Sequence, residues 1–446
     1  MPFKSLVALA ALLLCATIAA QDAPSPQDDI QKPKDVWSWS HKVEIRADYR
    51  WSDNEKHPLK FLPSPAFPEP GDTVIFEATP DPGHHVELNV ADVQFDVDYG
   101  DWIAARAKVH FQALHRRNPT SADRKIDADE LYVRFGPKPE FLERPEHTSF
   151  FLQAGKFPKM ERQPTRLLES YGLAATSFNR FEDIQLLAGG TVGRNLYWRV
   201  QAANGNPLFF RDPNALAGDN GTEDRRPPNP DPRIKSGFPI LYNAEVEGLF
   251  FDASHVQMGE ALGYRWQNAT ETMGFDAIVF HYRRELAERA KLTGTFYGGD
   301  IDLLNGPFDL PGGLPIHGNR KEEYGSRVYA EWGNATAIAQ FTKQNVAGLQ
   351  REGSEFEIGY RIPFAYGPFE YLQPAGRASA LKSRFIGNPV LYPAPSIWWP
   401  WKKYDAGVRV GLKKGLDVTL EYTDHSVKSA KKINLKEALV TVRWRV

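Results

Sequence analysis

The residue types that do chemistry are all present in this sequence, but few stand at spacings that chemistry uses. His84-His85 could begin a metal site, yet only Asp81 and Glu87 lie near enough to add ligands. A tetrahedral set needs four well-placed groups, so this pair reads as the start of a strand at a membrane edge. Asp300 and Asp302 beside Gly298-Gly299 lack the ligand spacing of a calcium loop and read as a surface turn. Glu245 with Glu247, and Asp96 with Asp98, would point to one side of a strand. A glycosidase needs carboxyls about 5–9.5 Å apart, but any i, i+2 pair on a strand meets that. No nucleophile elbow, phosphate-binding loop or dinucleotide fingerprint occurs. The expectation is therefore no catalytic residue, no metal, no cofactor and no enzyme activity. What remains is a cluster of cations: Lys159, Arg162, Arg166 and Arg180, with Glu161, Glu169 and Glu182, all within the stretch 158–183. Folded into a pore, these cations would form a positive ring that attracts anions. On an outer loop they would be an ordinary solvated surface.

The elements that must position these groups have a period of two. Trp37, Trp39, His41, Val43, Ile45, Ala47, Tyr49 and Trp51 share one face, and Ser38, Ser40, Lys42, Glu44, Arg46, Asp48 and Arg50 the other. Val93–Tyr99 and Ile103–Ala113 repeat the pattern. Further segments are 130–135, 150–157, 196–202, 242–250, 291–297, 327–332, 335–343, 356–362, 404–412, 416–422 and 438–444, with weaker ones at 184–188, 255–262, 273–281 and 378–385. The tally is about 17 or 18, and single-chain bacterial barrels have even strand numbers. A helical turn or two is expected only over 282–291. Connections alternate between short turns (Gly100-Asp101, Gly189-Gly190, Gly333-Asn334, Lys413–Gly415) and long loops (52–83, 158–183, 205–239, 300–323). Many segments reach the 9–11 residues that a tilted strand needs to cross hydrocarbon, and only a closed sheet satisfies its backbone there. Aromatics gather at strand ends, as interfacial girdles require. These signals predict an all-β, transmembrane antiparallel β-barrel, and the need for an even count leaves 16 or 18 strands open. The rival is a soluble exported all-β protein that binds or cleaves polysaccharide on Trp platforms.

Composition closes off other classes. The 446 residues hold 54 Lys+Arg against 56 Asp+Glu, so there is no basic excess for nucleic acid. Eleven Trp, 17 Tyr and 27 Phe exclude a disordered chain. Lys4, an apolar run from Leu6 to Ile18 and Ala19-Ala20 form a signal peptide over residues 1–20. A polar lead covers 21–35 and the barrel 36–446. The single cysteine, Cys15, lies in the signal, so the mature chain has no disulfide and no thiolate chemistry.

The stretch Phe150-Phe151-Leu152-Gln153-Ala154-Gly155-Lys156-Phe157-Pro158, followed by Glu161-Arg162 and Phe178-Asn179-Arg180-Phe181-Glu182, resembles the outer-membrane porin family that includes the phosphate-selective porins. Tyr404–Arg409, Val418–Tyr422 and Ala438–Trp444 are similar to the family's last strands. The resemblance implies a 16-stranded barrel in the outer membrane of a Gram-negative cell and a homotrimer. It also implies a constriction loop after the fifth strand and passive passage of small hydrophilic solutes or ions, anions such as phosphate among them. Implied partners are outer-membrane lipid and those solutes.

Two departures qualify this. Val446 ends the chain where an aromatic is usual, with Trp444 two places earlier. The residues expected to line the lumen are also mixed in sign. They are Lys42, Arg46, Arg50, Arg106, Lys108, Arg134, Arg199, Arg327, Arg361, Arg409 and Arg443, against Glu44, Asp48, Glu87, Asp96, Asp98, Glu130, Glu245, Glu247, Glu331, Glu357, Asp405 and Asp417. A balanced lumen does not carry over phosphate selectivity.

Overall fold

The computed structural model describes residues 36–53, 56–60, 73–77, 83–112, 126–139, 142, 148–179, 182–205, 208–210, 234–243, 256–285, 292–297, 299–301, 320–346, 348–384, 400–428 and 432–446. The signal and lead (1–35), Arg180, Glu245 and Glu247 lie outside them.

Sixteen strands form one closed wall: β1 (Trp37–Ser52), β2 (Gly83–Tyr99), β3 (Ile103–Gln112), β4 (Ile126–Phe135), β5 (Ser149–Pro158), β6 (Glu182–Val192), β7 (Leu196–Ala203), β8 (Gln257–Gln267), β9 (Met273–Glu285), β10 (Arg320–Trp332), β11 (Ala335–Val346), β12 (Leu349–Tyr360), β13 (Phe369–Ser383), β14 (Trp401–Leu412), β15 (Leu416–Lys428) and β16 (Lys432–Arg445). Each pairs antiparallel with the next. The even number lets β16 meet β1 antiparallel, from Glu44 opposite Arg445 to Ser52 opposite Glu437. Val43 and Val446 exchange backbone hydrogen bonds of 2.8 and 3.0 Å at the seam. Pro374, which has no N–H to donate, falls in the gap between Ala375, partner of Gly359, and Leu372, partner of Ile362. The short strand Ile362–Tyr366 carries this hairpin on beyond β12.

The expected alternation is present on the outside. Val43, Ile45, Ala47, Tyr49 and Trp51 face out, while Arg46, Asp48 and Arg50 are buried within. Trp39 and Tyr49 are ten residues apart, which is roughly 33 Å along a strand and about 25 Å of height at a tilt near 40°. That equals the apolar band of a membrane barrel. Aromatics pair along the short-turn rim, as in Trp37 with Tyr99 at 5.0 Å and Tyr264 with Phe275 at 5.9 Å. Val279 stands mid-strand on the outer face, 57 % exposed. Val279→Arg should destabilise the barrel by roughly 2–4 kcal/mol and lower the temperature at which the unboiled gel form is lost; Val279→Leu should leave that temperature unchanged.

The inside departs from expectation on one flank. A charged inner face is expected over many successive strands, but from β5 to β9 the inward residues Phe151, Phe157, Leu187, Tyr197, Ala261, Ile278, Phe280 and Tyr282 cluster with Met160. These side chains pack against one another instead of lining water. Glycine makes room for them. Phe151 is the register partner of Gly189, Tyr197 of Gly263, Tyr282 of Gly259 and Phe280 of Gly325. A methyl on Gly189 or Gly259 would stand 2.6 Å from the opposing ring, so each ring lies flat on its neighbour strand.

Among the described residues, six short strands outside the wall form a second sheet: Lys56–Lys60, Thr73–Glu77, Leu208–Phe210, Ile234–Asn243, Leu292–Tyr297 and Gly299–Ile301. All belong to connections on the long-loop side. The alternating segments 242–250 and 291–297 are therefore not wall strands in their described parts, because period two identifies a strand but not its sheet. The helical turn expected over 282–291 is not formed in its described part, because β9 runs on through Glu285. The turn expected at Gly189-Gly190 lies inside β6, and the chain reverses at Gly193–Asn195 instead, where Gly193 supplies a positive φ of 64°.

Candidate functional site

The connection from β5 to β6 turns into the barrel. Met160, Glu161 and all residues from Leu167 to Phe178 are buried. The loop crosses to the far wall, and two sets of side chains there hold its backbone. Carboxylates take its N–H groups. Glu357 accepts from Leu167 (2.5 Å) and Leu168 (3.3 Å), Glu355 from Ala174 (3.1 Å) and Ala175 (3.3 Å), and Glu421 from Ser170 (3.0 Å) and Glu169. Cations take its carbonyls. Arg327 donates to Arg162 O (2.8 Å), Arg351 to Ser177 O (3.0 Å), Arg377 to Ser170 O (2.9 Å), and Lys403 to Tyr171 O. Irregular backbone inside a protein needs such partners for each buried polar group.

Wall glycines again give the seats. A methyl on Gly353 would stand 2.5 Å from the Phe178 ring, one on Gly407 2.8 Å from Leu168, and one on Gly359 3.1 Å from Leu167. At the loop's start Lys159 is buried between Glu161 (2.9 Å) and Glu323 (2.6 Å), above the Tyr282 ring at 4.4 Å. Burial opposes its charge, but the two glutamates overcome this and hold it above the ordinary lysine range.

The loop tip carries Glu169 into a group of arginines. Arg409 reaches it at 2.7 Å, Arg46 at 3.7 Å, and Arg443 also pairs with it. Beside this cluster is a cavity of about 280 Å³ lined by Arg162, Arg166, Arg409, Arg443 and Arg445, with Glu44 the one carboxylate among its described lining residues. Arg162 pairs with Glu182, Arg166 lies over the Tyr171 ring at 3.9 Å, and Arg445 reaches Asp417 at 2.5 Å.

The structure thus brings together Arg46, Arg162, Arg166, Arg409 and Arg443 from the sequence candidates. Arg327 lies under the start of the loop, and Arg199 donates to Met160 O at 2.8 Å. Arg106 pairs with Asp96 at 2.6 Å, and Lys108 with Asp92 at 3.0 Å and Asp129 at 2.5 Å, away from the cavity. Arg50 is buried inward on β1, and Arg134 is half-buried on the inner side of β4. Lys42 and Arg361 are exposed at the short-turn rim, where Arg361 stacks on Tyr371 at 3.8 Å. Glu355, Glu421, Arg351, Arg377, Lys403 and Arg445 were not singled out from sequence. All but Arg351 would follow from carrying the inward parity of neighbouring alternating segments one or two places further. His84 is taken up by Tyr49 at 2.5 Å.

No family model matches this chain, and no curated protein is detectably similar to it in sequence. Solved structures do resemble it. The outer membrane channel DcaP of Acinetobacter baumannii aligns over 93 % of this chain and 99 % of its own, with 10 % identity and a TM-score of 0.51. OprB of Pseudomonas putida aligns over 92 % and 94 %, with 8 % identity and a TM-score of 0.49. At such identity the likeness to DcaP is one of fold, a 16-stranded antiparallel barrel.

Proposed function

We propose that this chain is an outer-membrane porin through which small hydrophilic solutes diffuse passively, with preference for anions. On this reading residues 1–20 are a cleaved export signal, residues 36–446 form the barrel, and the assembly is the homotrimer that the sequence resemblance implies. The observation that carries the reading is the inward loop beside an arginine-lined cavity. A lumen narrowed to such a passage selects by width and by local charge. The five arginines outnumber Glu44 and the acids they pair with, Glu169, Glu182 and Asp417, by one charge, which favours anions there, even though the remaining wall is close to balanced. Phosphate and small carboxylates both fit that chemistry, and no covalent step is part of it. The soluble sugar-binding alternative is disfavoured because Trp39 and Trp332, each 73 % exposed, stand on the barrel's outer rim instead of in a cleft.

Reconstitution in planar bilayers tests the reading. Discrete conductance steps are expected, with a reversal potential in a KCl gradient that favours chloride. Arg162→Glu with Arg166→Glu should move that potential toward the potassium side. A reversal potential that stays where it was would refute the loop as the selective element, and absence of any conductance would refute the porin.

A further inference from the structure

The cavity beside the loop tip has room and polar groups for more than a simple anion. Its volume of about 280 Å³ is that of roughly nine waters at about 30 Å³ each. An inorganic phosphate, with its five heavy atoms, would leave about half of that space to solvent. On the wall side the lining is cationic, with Arg409 from β14 and Arg443 and Arg445 from β16. On the loop side it is the run Arg162–Arg166, in which Gln163, Pro164 and Thr165 are uncharged.

Two buried polar atoms of the lining make no hydrogen bond among the described residues, and they are opposite in kind. Arg443 gives a terminal nitrogen to Glu169, but its Nε, a donor, stands 3.5 Å from Glu44 and makes no hydrogen bond to it. Gln163 Oε1 is an acceptor. Burying either atom without a partner is costly, so a solute that meets both is favoured over one that meets neither. The cavity can be entered from the lumen. Pro164 and Thr165 are exposed, and the side chains of Arg162 and Arg445 are 34 % and 45 % exposed. Arg445 bonds its N–H to Gly415 O at 2.9 Å, in the short turn between β14 and β15, so the cavity reaches toward the short-turn mouth.

We propose that this cavity is a binding station for a hydroxylated organic anion of sugar size, a sugar acid or a sugar phosphate. Its anionic head docks on Arg443, and one of its hydroxyls donates to Gln163 Oε1. The proposal rests on the porin reading above and narrows the solute class of that site. An ionised oxygen satisfies the Arg443 Nε but not Gln163, which needs an O–H or N–H donor. A simple carboxylate therefore leaves Gln163 unmet, and a neutral sugar leaves the excess charge of the arginines unanswered.

Current block in planar bilayers holding the full-length protein at low salt tests this, with solute added to both sides. Gluconate and glucose 6-phosphate should each reduce the chloride current saturably. Half-block should come at a concentration at least about fivefold below that of glucose or inorganic phosphate. Whichever of the two blocks at the lower concentration identifies the head group as carboxylate or phosphate. Gln163→Leu should raise both half-block concentrations by roughly two- to tenfold, the worth of one hydrogen bond. Gln163→Glu should raise them further, because a carboxylate there repels the anion. Absence of saturable block, or glucose or phosphate blocking as well as the hydroxylated anions, would overturn the proposal while leaving the porin intact. So would block unchanged in both Gln163 variants. A wild type without conductance steps would instead overturn the porin reading, and this inference with it.

Discussion

Glu355→Ala combined with Glu357→Ala should raise single-channel conductance by roughly twofold or more, because a 16-stranded barrel without its inward loop leaves a wide aqueous channel. Between them these two side chains of β12 accept from four loop N–H groups. Hydrogen bonds to charged groups contribute about 1.5–3 kcal/mol each, and four of them are lost within ten residues of loop. The cations that hold the loop's carbonyls remain, but Arg377 also loses Glu357, its ion-pair partner at 3.3 Å, and is left to Asp405. The barrel should survive, since its closure depends on backbone pairing that neither substitution touches. Limited proteolysis offers an independent measurement. Cleavage after Arg162 or Arg166 by external trypsin should be faster in the double variant. Glu352→Ala on the same strand removes an outer pair with Arg384 and should change neither conductance nor cleavage. A double variant with wild-type conductance and wild-type cleavage would mean that the loop is fixed without its carboxylate acceptors.

Glu169→Gln should increase the chloride-to-potassium permeability ratio by roughly two- to fivefold at low salt. The glutamate is the loop's own contribution to a cluster of Arg46, Arg409 and Arg443. Replacing it by the neutral isostere keeps a hydrogen-bond acceptor while exposing the cluster's charge. The same change in ratio should shrink as ionic strength rises, since screening acts over about 10 Å at 0.1 M. A ratio equal to wild type at 0.1 M KCl would show that permeating ions do not sense this cluster.

The wall was largely readable because lipid on the outside imposes a strict period of two, and Val43, Ile45 and Ala47 against Arg46 and Asp48 obey it. Two parts were not. On β9 the outward Phe275 and Val279 alternate with the inward Ile278, Phe280 and Tyr282. Both faces are apolar, so alternation no longer says which side is which. The partners that bury the inner rings, such as Gly259 and Gly325, lie on neighbouring strands and leave no signal within β9 itself. The loop's cations were visible, but their grouping was not, because Arg46, Arg409 and Arg443 come from strands distant in sequence and meet only when the sheet closes.

The rings resting on glycines also bear on how the sheet finds its alignment. If β7 slipped two places along β8, Tyr197 would meet Ala261 or Arg265 where it now meets Gly263. The same error between β9 and β10 would drive Phe280 into Glu323 or Arg327. A slip of one place would instead turn the rings out of the barrel. Each ring and its glycine therefore act as a dowel, penalising misassembly at several seams while the sheet is still open.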